Sequence, residues 1–178
     1  MTSELRFIDY ENTQVKLLAN RKIPKIETPG IIIDDIDERK EFSAPFWLAK
    51  ILIETGIVKI VENGLTPEEW TQAHFKERFS AAGPLTVMPK EFYKRAYVSL
   101  SLSIKDTKED KGKIDLLNRL QARFREIIES RIAKLTRLAL VDTAPQQGVL
   151  QPEEMVLWME LQHIITKWRK NIRNLGET

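Results

Sequence analysis

The sequence contains no cysteine, which removes disulfides, thiolate zinc sites and cysteine nucleophiles and fits an intracellular setting. Histidine is nearly absent too: only His74 and His163 occur, far apart. A zinc site needs several nitrogen or sulfur ligands at short spacing, so both histidines are expected in structural roles. The seven glycines are scattered singly, so no loop is built to cradle phosphate. No serine or threonine sits in a nucleophile-elbow pattern. The acidic stretch at residues 34–38 offers carboxylates to a hard cation, but it lacks the glycine of a calcium loop and is expected to be a solvated turn. Charge of one sign is lacking as well. Lysine and arginine number 28 against 26 acids, a net charge of +2, which gives no general attraction to nucleic acid. Apolar stretches are broken by charges well short of a membrane span, and residues 1–10 have no signal-type apolar core. The expectation is therefore a soluble, cytoplasmic, membrane-free protein without catalytic, cofactor-binding or metal-binding residues.

What remains is a globular balance: 178 residues, 42% hydrophobic and 30% charged. The expected fold class is α+β, mainly α. A small β-rich domain with one helix, residues 1–63, precedes a helical bundle domain, residues 64–178. In the first part, Val15, Leu17 and Leu18 mark a short strand. Ile31, Ile32 and Ile33 are β-branched and suit a strand buried on both faces. Residues 39–42 read as a returning strand. Ser43, Ala44 and Pro45 open a helix over residues 46–54, which Gly56 ends. Residues 57–61 form one more strand, and Asn63-Gly64 is a turn.

From Thr66 the texture is helical. Thr66, Pro67 and Glu69 make a capping box with proline at the first position, starting a helix to residue 79. Residues 81–84 break the chain. Pro89 starts a third helix, to about residue 103, although residues 99–104 alternate and leave strand open there. Residues 105–112 are a charged loop. A long helix over residues 113–141 carries Leu117, Leu120, Phe124, Ile127, Ile128, Ile132, Leu135 and Leu138 at steps of three and four. Its cations Arg119, Arg123, Arg125, Arg131, Lys134 and Arg137 interleave with Asp115, Glu126 and Glu129, so DNA contact there is expected to be weak. After a loop at residues 143–150, the last helix opens at Pro152. Trp158, Leu161, Ile165, Trp168, Ile172 and Leu175 draw one narrow apolar seam along it. The seam suits packing in its own bundle, and its tryptophans suit a subunit interface. Lys167, Arg169, Lys170 and Arg173 cluster in the last turns, where cations suit the helix dipole.

Three segments carry a resemblance. Ser43 through Lys50, reading SAPFWLAK, resembles the PLWLAK segment of one branch of the GINS replication-complex subunits. Val87 through Tyr93, reading VMPKEFY, resembles that branch's PMP-x-x-Y/F-Y segment. Ser130 through Leu135, reading SRIAKL, resembles its TRIAKL segment. They occur in the family's order and at similar separations, across residues 31–172. The branch is the one with the small β-rich domain first, and the undecorated chain looks like the archaeal form. The resemblance implies a scaffold subunit without catalytic activity. Two copies would join two copies of the GINS subunit of opposite domain order. The tetramer would bind the replicative MCM helicase and a RecJ-like protein, and would extend to primase or polymerase at the replication fork. Interface or domain-packing roles are expected of Phe46, Trp47, Met88, Phe92, Tyr93 and Arg131 within these segments, and of Ile51, Phe124, Trp158 and Trp168 outside them. Trp47 is expected to lock the first helix in place, and Tyr93 to set its hydroxyl on a buried polar partner. Arg131 is expected in an interhelix or inter-subunit ion pair. The alternative function is a stand-alone helical nucleic-acid-binding protein, and the remaining one a small enzyme with dispersed groups.

Overall fold

Alternation in the segment QVKLLA sends Val15, Leu17 and Ala19 inward and Gln14 and Lys16 outward, which makes residues Gln14–Ala19 strand β1. The computed structural model describes residues 10–61, 64–79, 83–106, 111–141 and 144–175. β1 is the centre of a three-stranded antiparallel sheet, flanked by β4 (Glu41–Pro45) and β5 (Val58–Ile60). A separate hairpin pairs β2 (Ile26–Thr28) with β3 (Ile31–Ile33). Its turn is Pro29-Gly30, with proline fixing the first position and Gly30 supplying the left-handed φ of 88° at the second. The triple isoleucine is therefore not a strand buried on both faces. Two strands alone leave one face open, and Ile32 is 64% exposed.

Ser43 and Ala44 do not open a helix. They finish β4, opposite Lys16 and Val15. Pro45 tolerates this place because β4 is an edge strand, and its φ of −58° with ψ of 144° then feeds the first turn of helix α1 (Phe46–Glu54). Gly56 ends α1 as expected. Its N–H reaches Ile53 and that of Ile57 reaches Leu52, the paired bonds of a Schellman cap, with Gly56 at φ 70°. The acidic stretch is a built turn. The Asp35 carboxylate accepts the Lys25 N–H at 2.7 Å, Asp37 pairs with Lys40, and Ile36 bridges to Ile23.

The second unit begins at Leu65, and Tyr97–Ser99 group with the first. It is helical: α2 (Pro67–Phe79), α3 (Phe92–Asp106), α4 (Lys111–Leu140) and α5 (Pro152–Asn174). The Thr66 box forms as expected, each of Thr66 and Glu69 bonding the other's N–H. α3 starts at Phe92, not Pro89, because Glu91 sits at φ 52°, outside the right-handed helix region. It runs as helix through Ile104, which settles the open choice at residues 99–104. The expectations for residues 1–9, Asn63, residues 80–82, residues 107–110 and residues 142–143 lie outside the described residues.

Inside the first unit, α1 is held by Phe46, Leu48, Ala49 and Leu52, all buried. Phe46 meets Tyr97 edge to face at 6.0 Å, and Lys50 lies over the same ring while pairing with Glu11 at 2.7 Å. Trp47 is only half-buried and Ile51 is 51% exposed, so the locking ring is Phe46 and not Trp47. Phe46→Ala is expected to cost about 3–5 kcal/mol and Trp47→Ala clearly less. Urea unfolding followed by circular dichroism measures both, and the reverse order would restore Trp47 as the lock.

Candidate functional site: a charged layer between helices and a bare helix face

Along α4 the inward positions run Ile127, Arg131, Leu135 and Ala139, each four residues from the last. Helical spacing thus puts Arg131 on the buried stripe itself and turns Ile132 outward, where it is 41% exposed. The same happens on α2, whose buried residues are Trp70, Ala73 and Glu77, and on α5, where they are Glu154 and Trp158. Charges occupy apolar positions on three helices, and they meet.

Arg131 holds Glu154 with both branches of its guanidinium, Nε to Oε1 at 2.7 Å and Nη2 to Oε2 at 2.6 Å. Its Nη1 donates to Glu77 at 3.1 Å and to the Thr86 carbonyl at 2.7 Å, and Nη2 reaches the Val149 carbonyl at 3.3 Å. Lys134 donates to the other oxygen of Glu77 at 2.6 Å. Hydroxyls complete the shell: Thr86 and Ser130 donate to Glu77, and Tyr93 donates to Glu154 at 2.7 Å. Glu154 also closes the α5 capping box on the N–H of Gln151, whose side chain accepts the N–H of Phe92. Two cations face two carboxylates, so the layer is neutral. Arg131, Glu77 and Glu154 each expose 2% or less of their side chains.

Two apolar clusters sandwich this layer. One gathers Leu65, Trp70, Ala73, Met88, Phe92, Ala96 and Ile127, with Tyr93, Leu120 and Phe124 packed on it. Trp70, Phe92 and Phe124 touch one another at ring distances of 5.9 to 6.2 Å. The other gathers Leu135, Ala139 and Trp158, with Leu138, Leu161 and Ile165 against it. Met88, Phe92, Tyr93, Phe124, Arg131 and Trp158 are thus brought together inside the helical unit. Phe46, Trp47 and Ile51 belong to the first unit.

Burial pushes the Glu77 carboxyl up, but hydrogen bonds from Lys134 and Thr86 and the charges of Arg131 and Lys134 outweigh it and hold it below its ordinary value. Burial, together with the Glu154 charge and hydrogen bond, pushes the Tyr93 hydroxyl well above its ordinary value. Arg131 is held more firmly protonated by Glu154 and Glu77, against the pull of burial. Each charge answers another, so the layer acts as a clamp that fixes how α2, α4 and α5 register. Of the eight cations on α4, Arg131 and Lys134 are taken up in it. On the surface, His74 bonds Glu126 at 2.6 Å and lowers its carboxyl, while His163 is exposed.

The seam on α5 divides in two. Trp158, Leu161 and Ile165 pack on α4. Trp168 and Ile172 are 63% and 47% exposed, Leu175 is 73% exposed, and Ile164 beside them is 63% exposed. A second apolar feature, absent from the sequence reading, is the stacked pair Phe75 and Phe79 on α2, with rings 5.7 Å apart and both exposed. Among the described residues, no helix is long and apolar enough to cross a membrane. Compared with known proteins, the chain matches no family model and no curated sequence.

Arg131→Met removes both of its ion pairs and leaves the buried Glu154 without a cation, while Glu77 keeps Lys134. It is expected to cost about 3–5 kcal/mol in thermal or denaturant unfolding, and a loss under 1 kcal/mol would contradict the clamp. The pH dependence has two edges. Glu77 is depressed in the fold, so its contribution is complete above the unfolded carboxyl value of 4.5 and is lost as pH falls below it. Tyr93 is raised, so its contribution is complete below the unfolded value of 10.0 and is lost as pH rises beyond it. Unfolding free energy against pH is expected to fall at both edges, with the acid slope shallower in Glu77→Gln and the alkaline slope shallower in Tyr93→Phe.

Proposed function

We propose that the chain is a non-catalytic scaffold subunit of a GINS-type complex in chromosomal DNA replication. It assembles with the GINS subunit of opposite domain order, as two copies of each. The tetramer links the MCM helicase to a RecJ-like protein and to primase or polymerase at the fork. The supporting observation is the unpacked second half of the α5 seam: Ile164, Trp168 and Ile172 on the helix and Leu175 at its C-cap all stand exposed. A contiguous apolar stripe carrying a tryptophan is a protein-interaction surface. The clamp supports the same reading, because it fixes α5 from its first turn and so presents the bare half in one orientation. Of the three resembling segments, one falls in the first unit and two in the helical unit. SAPFWLAK runs from β4 into α1, VMPKEFY leads into α3, and SRIAKL carries Arg131 and Lys134 of the clamp.

Light scattering on the chain alone, and after co-expression with a GINS subunit of opposite domain order, tests the proposal. A stable complex of two plus two chains is expected. The double variant Trp168→Ser/Ile172→Ser is expected to melt like the parent yet bind the partner at least roughly 30-fold more weakly, the loss of about 2 kcal/mol typical of a hot spot. A chain that stays monomeric beside the partner would sink the proposal. Full assembly by the double variant would move the interface elsewhere.

A further inference from the structure

The same helix carries a second surface of different chemistry. A cleft of about 350 Å³ lies where α5 meets the end of α4, lined by Ala139, Gln162, Thr166, Arg169, Lys170, Arg173 and Asn174. Every lining residue but Ala139 carries a side-chain hydrogen-bond donor, three are cations and none is a carboxylate. From Leu161 to Leu175 the sequence has four cations and no acid. Among the described residues, no carboxylate pairs with Lys170 or Arg173.

The helix dipole accounts for Arg173, in the last turn of α5, and not for Arg169. It favours cations in the last turn only, whereas Arg169 stands more than a turn from the end of α5 at Asn174. Its guanidinium donates to the Leu140 carbonyl at 3.0 Å, on the other helix, and this bond fixes the charge at the cleft. The cleft joins a donor fixed on Leu140 to mobile ones and holds no acid, with aliphatic side-chain stems sharing its lining. It fits an anion with oxygen acceptors on all sides.

We infer that this cleft takes the phosphodiester backbone of a nucleic acid, by contacts that read no sequence. The site stands independently of the assembly proposal. At 100° per residue, the cleft residues centre roughly 165° around α5 from the exposed apolar stripe, so a partner helix on that stripe leaves the cleft open.

The experiment is fluorescence anisotropy of the full chain with labelled single-stranded and duplex DNA of mixed sequence, about 20 nucleotides long, from roughly 20 to 200 mM salt. Expected is binding indifferent to sequence, with log affinity falling against log salt at a slope of about −2 to −3 for three contacts. Lys170→Gln/Arg173→Gln, at two exposed positions, is expected to melt like the parent, weaken binding roughly tenfold or more at low salt, and flatten the slope by about 2. Thr166→Glu removes no cation but sets a carboxylate in the cleft, and is expected to weaken binding as well. Arg119→Gln/Arg125→Gln removes the same charge from exposed positions on α4 and is expected to leave binding within about twofold. The inference is overturned if the cleft variants bind like the parent, or if the α4 variant loses as much as they do. It is also overturned if the chain ignores DNA while polyglutamate or vesicles of anionic lipid engage these residues, which would assign the cleft to an acidic protein or a membrane surface.

Discussion

Arg131 ties together three helices and two connections of the helical unit. From one position on α4 it grips Glu154 at the start of α5, Glu77 near the end of α2, and the carbonyls of Thr86 and Val149 in the connections. Taking such charges out of water is costly, and an apolar layer of the same volume would be as stable or more so. What the ionic layer adds is direction. A bidentate guanidinium accepts its carboxylate in one geometry, while leucine against leucine slides. Clusters above and below supply apolar burial, and the layer between them sets the register in which they meet.

That register decides what the surface presents. Glu154 is both an ion-pair partner and the capping residue of α5, so the clamp and the helix start are the same group. Once α5 is fixed there, its first half covers α4 and its second half carries the seam beyond the core, with the apolar stripe on one flank and the donor-lined cleft on the other. One helix therefore offers two chemistries in fixed relation. The apolar stripe suits a protein partner and the cationic cleft suits a phosphate backbone. The proposed scaffold at a replication fork would use both.

The helices were largely legible in the sequence because their signals are local. The Thr66 box, Gly56 and the three-four steps of α4 and α5 act within a turn or two of themselves. The strands were less so. The triple isoleucine gives β propensity but not sheet size, and only pairing across the chain shows that its hairpin has two strands. Pro45 reads as a helix opener and serves instead at the end of an edge strand. The charged layer was half visible. Arg131 stood out in its segment and Lys134 was read among the mixed charges of the long helix, but nothing marked Glu77 or Glu154, because a charge on an apolar stripe is recognised only once its partner on another helix is known. The step of four from Ile127 through Arg131 to Leu135 was the available signal. The α5 seam was read whole, since periodicity cannot tell where a neighbouring helix stops covering it. The cleft's sequence signature was the cluster of four cations in a run without acids, which read as a match to the helix dipole.

The central claim is that the exposed half of α5 is covered by another subunit. Hydrogen–deuterium exchange of the chain alone, and in complex with the GINS subunit of opposite domain order, tests it directly. Slower exchange in peptides spanning residues 164–175 on complex formation is the result this account predicts. A complex that forms while those peptides exchange as fast as in the free chain would contradict it.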